Sequence, residues 1–154
     1  MKEKIGSRNT IISLFKMKKL YLDIDGVILN KDLSPANHLK EFLERVLPKY
    51  DVYFLTTHCK GDAEYTLNYL SRLLDQEIIE LLKTVKPTTF DRLKTEGIDF
   101  NSEFIWLDDY LFDSEIAELE KHGAKDSWIK ADLKNDPDFL KHFIQGSVSQ
   151  ATPS

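Results

Sequence analysis

Cysteine is almost missing from this chain: Cys59 is the only one among 154 residues. No intrachain disulfide can form, so folding does not depend on an oxidising compartment, and a cytoplasmic location is the expectation. Long apolar runs are missing as well, and nothing in the sequence approaches the roughly 20 residues that a membrane helix needs. The patch Ile11–Phe15 is too short for a signal-peptide core. Positive charge is in deficit, with 21 Lys and Arg against 26 Asp and Glu, a formal net charge of −5. That balance weighs against a partner held by bulk electrostatics, such as duplex DNA. Internal repeats and linker-like stretches are absent too, which leaves one domain with room for a sizeable core.

What is present alternates between two periodicities. A strand is expected over 19–25, then a helix over 35–47 with Ser34 as its N-cap and Pro35 at its first position. Leu39, Phe42, Leu43, Val46 and Leu47 recur at helical spacing in that segment. A second strand is expected over 52–55, followed by a helix capped by Asp62. Residues 78–82 read equally as a short strand or as more helix. A helix over 88–95 stopped by Gly97, a strand over 104–107, a helix from about Ser114 to His122 and a strand over 127–131 come next. Pro137 opens a closing helix to about Ile144. Residues 1–17 read as a loose extension, with Met17 a candidate natural start, residues 18–145 as the folded domain, and 146–154 as a disordered tail. The fold expected is α/β: a single Rossmann-like three-layer domain around a mostly parallel sheet.

Two carboxylates interrupt the first strand. Leu20, Leu22, Ile24, Val27 and Ile28 are residues of an interior strand, yet Asp23 and Asp25 lie among them. Desolvating a carboxylate is costly without a cation or strong donors, and acids at i and i+2 of a strand point the same way and repel. Gly26 lets the backbone turn tightly and removes a side chain where a ligand would approach. Thr56 and Thr57 close the second expected strand, and Asp108 and Asp109 close the one over 104–107. In parallel α/β sheets ligands bind beyond the carboxyl ends of the strands, where strand order reverses. Three polar clusters are therefore expected to meet at one rim.

Asp23, Asp25, Gly26 and Val27, then Thr56 and Thr57, then Lys86, then Asp108 and Asp109 with Asp113 behind, resemble in order and setting the four motifs of the haloacid dehalogenase (HAD) superfamily of phosphohydrolases. The likeness runs from about Lys18 to Ile129. It implies that Asp23 is the nucleophile of an aspartyl-phosphate mechanism and that Asp25 is the acid/base. It implies Lys86 as the catalytic neutraliser of Asp23 and phosphate, and Thr56 or Thr57 as the hydroxyl contact to a phosphoryl oxygen. Mg²⁺ is the implied cofactor, held by Asp23, the backbone carbonyl of Asp25, and Asp108 and Asp109. Asp109 and Asp113 also fit the family's G-D-x-x-x-D form, with Asp108 in place of glycine, so either acid is a candidate direct ligand. Asp113 is expected as a helix cap or outer partner. The short spacings leave no room for the family's inserted cap domain. An open site suits bulky phosphorylated substrates such as proteins or nucleic-acid ends, with a metabolite as the other possibility.

Plainer readings apply to the remaining residues. Cys59 does not start a cysteine-phosphatase loop, because Tyr65 stands where that loop needs arginine. It is expected as an inert thiol, His58 as an ordinary loop histidine, Trp106 and Trp128 as packing residues, and Glu115–Glu120 as a solvated helix face. A receiver domain shares these ingredients but places its lysine after every acidic residue, an order that Lys86 breaks. The remaining alternative is a non-catalytic Mg²⁺-dependent binding module of the same fold.

Overall fold

The computed structural model describes residues 16–147. The expected extension over 1–17 and tail over 146–154 fall almost wholly outside these residues. Four short strands build one all-parallel sheet: β1 (Lys19–Leu22), β2 (Asp51–Phe54), β3 (Phe104–Asp108) and β4 (Trp128–Lys130). Their order is β2-β1-β3-β4. Among the described residues, five α-helices accompany them: α1 (Leu39–Val46), α2 (Ala63–Leu70), α3 (Gln76–Leu82), α4 (Asp113–Lys121) and α5 (Phe139–Ile144). The architecture is α/β and compatible with a Rossmann-like fold. Among the described residues, no helix is long and apolar enough to cross a membrane.

The period-two alternation of each strand divides the core in two. Leu20 and Leu22 of β1, Val52 and Phe54 of β2, and Leu107 of β3 pack with Phe42, Leu43, Leu82 and Leu140 from α1, α3 and α5. Tyr21, Phe104 and Trp106 point the other way and pack with Leu119 of α4 and Ile98. Each fully buried leucine here contributes about 1.5–3 kcal/mol of transfer free energy. From β1 the chain runs outward to β2, then crosses back to β3 on the other side. The reversal places the switch point between the carboxyl ends of β1 and β3.

Several expected elements differ in extent. β1 ends at Leu22, because Ile24, Val27, Ile28 and Leu29 form a buried turn in which the Ile24 carbonyl accepts from the amides of the other three. The helix expected from Pro35 starts at Leu39. Ser34 does not cap it, since both its amide and its hydroxyl bind Asp32, and His38 in the left-handed region (φ 65°) precedes the helix instead. Residues 78–82 are helical, as part of α3. No helix forms over 88–95: the Glu96 carboxylate accepts from the amides of Asp91, Arg92 and Leu93 and bends this stretch into a loop ending in a 3₁₀ turn (Lys94–Gly97). Asp62 does cap α2, accepting from the Glu64 amide. Gly123 (φ 65°) follows the end of α4 as expected.

Candidate functional site

Three carboxylates converge at the switch point. Asp23 follows β1 directly, its amide bonded to the Leu107 carbonyl of β3, while Asp108 ends β3 and Asp109 follows it. One carboxylate oxygen from each of Asp23, Asp108 and Asp109 lies within 4.8 Å of the other two. Asp23 and Asp108 are buried, and Asp109 is exposed. Gly26 permits this approach. Its φ is +86°, and a Cβ there would stand 2.6 Å from the Asp109 carboxyl carbon. The expected convergence of the first and last acidic motifs is therefore a feature of the fold.

The lysine of the site is Lys94. Its ammonium lies 3.1 Å from Asp23 Oδ2 and 2.7 Å from Asp108 Oδ2. Lys86 stands elsewhere. Its backbone extends the outer edge of the sheet by a single bridge to Tyr53, and its exposed ammonium pairs with Asp51 Oδ1 at 2.7 Å, at the opening residue of β2. The expectation that Lys86 enters the acidic pocket is corrected by this geometry. The loop folded by Glu96 delivers the next lysine in its place.

Both oxygens of Asp23 are held: Oδ1 accepts from the Ile24 amide at 2.8 Å and Oδ2 meets Lys94. Thr56, fully buried, accepts from the His58 amide, whereas Thr57 lines the open cleft beside Asp23. The two threonines thus have separate tasks, one internal and one facing solvent. Burial raises the Asp23 carboxyl above the usual carboxylate range, with Lys94, the Ile24 amide and Thr56 opposing. Burial, then the charge of Asp23, pushes Asp108 up to about 8, against the pull of Lys94. Burial works to lower Lys94, but the two carboxylates outweigh it and its pKa is raised, so the ammonium stays charged.

Asp25 points away from this trio. It is half exposed, and its Oδ2 lies 2.9 Å from Nε2 of His58, whose ring stacks on Tyr69 at 4.5 Å between centroids. His58 is thus no ordinary loop histidine. Glu115 departs from expectation too. Its carboxylate is buried and accepts from the Lys94 amide (2.9 Å) and the Phe112 amide (2.9 Å), so it holds the Lys94 loop to the start of α4. Asp113 is the first residue of α4, lies outside the acidic trio, and does not cap the helix; Glu115 binds the amide of the residue before it. Trp128 donates from Nε1 to the Asp108 carbonyl at 3.1 Å and braces the acidic turn. Cys59 is buried in the core.

Comparisons with protein-family models, with curated proteins and with solved structures return no match.

Two depressions flank the acids. One, of about 210 Å³, is lined by Thr57, Phe90, Arg92, Tyr110 and Phe112 around Asp23 and Lys94. The other, of about 430 Å³, lies beyond Asp25, Gly26 and Asp109 and is walled by Lys31, Lys130 and Lys134. Sequence patterns pointed to neither lysine wall nor aromatic cleft, because both are assembled from segments far apart in the chain that meet only in the fold.

Proposed function

We propose that this chain is a Mg²⁺-dependent phosphohydrolase of the HAD type, without a cap domain, working through an aspartyl-phosphate. The observation that carries the reading is the set of Asp23, Asp108 and Asp109 within 4.8 Å at the switch point, with Lys94 bonded to the first two. Oxygen-only donors at that spacing suit a hard cation. Asp23, Asp108 and Asp109 would hold the ion, with the Asp25 carbonyl as a further donor, and its contribution is to neutralise charge on the phosphoryl oxygens.

The chain's own residues account for the remaining chemistry. Asp23 Oδ, oriented by the Ile24 amide and Lys94, attacks phosphorus as the bond to the leaving oxygen breaks. Asp25 gives its proton to that oxygen. Asp25 then takes a proton from water, whose oxygen attacks phosphorus, releasing phosphate and the Asp23 carboxylate. Lys94 offsets the negative charge at each stage, taking the part first expected of Lys86. Thr57 is placed to donate to a phosphoryl oxygen, and Thr56 orients Asp23. His58 fixes the direction of Asp25. Short connections around the rim support an open site for bulky phosphorylated substrates.

One observation favours the rival, a Mg²⁺-dependent binding module: Lys94 already compensates Asp23 and Asp108 without any turnover. Incubation with p-nitrophenyl phosphate separates the two. Hydrolysis that needs Mg²⁺, stops with EDTA and disappears in Asp23→Asn is expected. No hydrolysis by the wild type, with Mg²⁺ binding retained in that variant, favours the module.

A further inference from the structure

We infer that the substrate's leaving group carries a second phosphate, bound in the groove walled by Lys31, Lys130 and Lys134. The inference rests on the phosphohydrolase reading for one point: the acid that protonates the leaving oxygen fixes the side on which the leaving group lies. Asp25 is that acid, and it opens onto the lysine groove, whereas Asp23 and Lys94 face the aromatic cleft. A leaving group departing past Asp25 therefore enters a depression of about 430 Å³, larger than a phosphoryl group alone requires.

The charges of that groove are arranged for an anion. Among the described residues, the lysines found in ion pairs are Lys19, Lys40, Lys83, Lys86, Lys94 and Lys125. Lys31, Lys130 and Lys134 are not among them, although 26 acidic residues are spread through the chain. The acids of the groove are already engaged. Asp132 accepts from the Asn135 amide and side chain and also feels the charge of Lys130 without bonding to it, Asp25 pairs with His58, and Asp109 belongs to the carboxylate trio. Three ammonium groups from two separate segments thus line the groove with no carboxylate of the described residues bonded to them. Lysine ammonium groups bind phosphate as point charges, without the bidentate geometry of arginine.

A second phosphate in the leaving group occurs in a terminally phosphorylated oligonucleotide and in a small bisphosphorylated metabolite. The open groove accommodates either, and the experiment separates them. The test compares kcat/KM for thymidine 3′,5′-bisphosphate, thymidine 3′-monophosphate and a 3′-phosphorylated thymidine tetranucleotide, in the wild type and in Lys31→Gln/Lys130→Gln/Lys134→Gln. Equilibrium binding of the same three probes to Asp23→Asn, with and without the three lysine substitutions, is measured alongside.

The expected result is a wild-type preference of at least about tenfold for probes with a second phosphate, collapsing toward one in the triple variant and weakening as salt rises. A further gain for the tetranucleotide assigns the polynucleotide source, and equality with the bisphosphate assigns the small molecule. Equal rates for mono- and bisphosphate in the wild type, or a preference that survives the triple substitution, overturns the inference. The p-nitrophenyl phosphate assay decides the phosphohydrolase reading by itself; if the three probes are not hydrolysed, the binding preference and its loss on substituting the three lysines still decide whether the groove takes a second phosphate, and no preference overturns the inference.

Discussion

The missing side chain of Gly26 is what allows Asp109 to stand where it does: a Cβ at that position would lie 2.6 Å from the Asp109 carboxyl carbon and 2.6 Å from Oδ2. With φ at +86°, the turn also disfavours any L side chain, at a cost of about 1–2 kcal/mol. Gly26→Ala should therefore drive Asp109 out of the trio while leaving the core intact. Titration calorimetry should show Mg²⁺ affinity reduced by at least about tenfold, with an unchanged far-ultraviolet circular dichroism spectrum. Affinity equal to the wild type would mean that Asp109 is not needed for the ion.

The two lysines should differ sharply in urea denaturation under EDTA. Lys94→Met leaves Asp23 and Asp108 buried without their cation, which should cost about 3–5 kcal/mol, recovered in part by Mg²⁺. Lys86→Met breaks a pair whose lysine side chain is 56 % exposed, and should change stability by less than about 1 kcal/mol. Comparable losses would contradict the exchange of roles.

Acidity should stabilise the metal-free site. The Asp108 carboxyl, ordinarily at 3.8, is pushed up to about 8 by burial and by Asp23, and Asp23 is raised in the same direction. Between those limits the folded protein holds a proton that the unfolded chain has released. The stability contributed by Asp108 is full below about 3.8 and is lost as pH rises through about 8. In EDTA the urea midpoint should fall from pH 5.5 to pH 8, and Asp108→Asn should flatten that slope. Mg²⁺ binding should run the opposite way, tightening as pH rises and releasing protons, which calorimetry in two buffers of different ionisation enthalpy detects.

Removing the ring that steers Asp25 should slow turnover. His58→Ala deletes the 2.9 Å contact to Asp25 Oδ2 and the stack on Tyr69. A drop in kcat for p-nitrophenyl phosphate of about 10- to 100-fold is expected, the worth of one hydrogen bond to a charged group. His58→Gln, which restores a donor, should recover part of it. A change confined to KM would assign His58 to substrate contact instead.

Strands and acids were legible because their signals are local. Leu20, Val52 and Phe104 open short apolar runs, and Asp23 and Asp108 stand out because buried strands do not ordinarily end in unneutralised acids. The lysine was not legible from order alone. Lys86 sits at the expected place in the sequence, but its chain is drawn to the outer edge of β2, where Asp51 satisfies it. Lys94 looked like part of a helix until Glu96 bound three preceding amides and turned that stretch inward. Glu115 was equally hidden: in an acidic run it reads as solvated, and only the meeting of the Lys94 loop with α4 buries it.

Lys94 is joined to the polypeptide, so the countercharge it brings to Asp23 and Asp108 cannot diffuse away or be stripped by a chelator. A nascent chain can therefore close its acidic rim before encountering any divalent ion. On the phosphohydrolase reading, loss of magnesium would then stop turnover without threatening the survival of the fold.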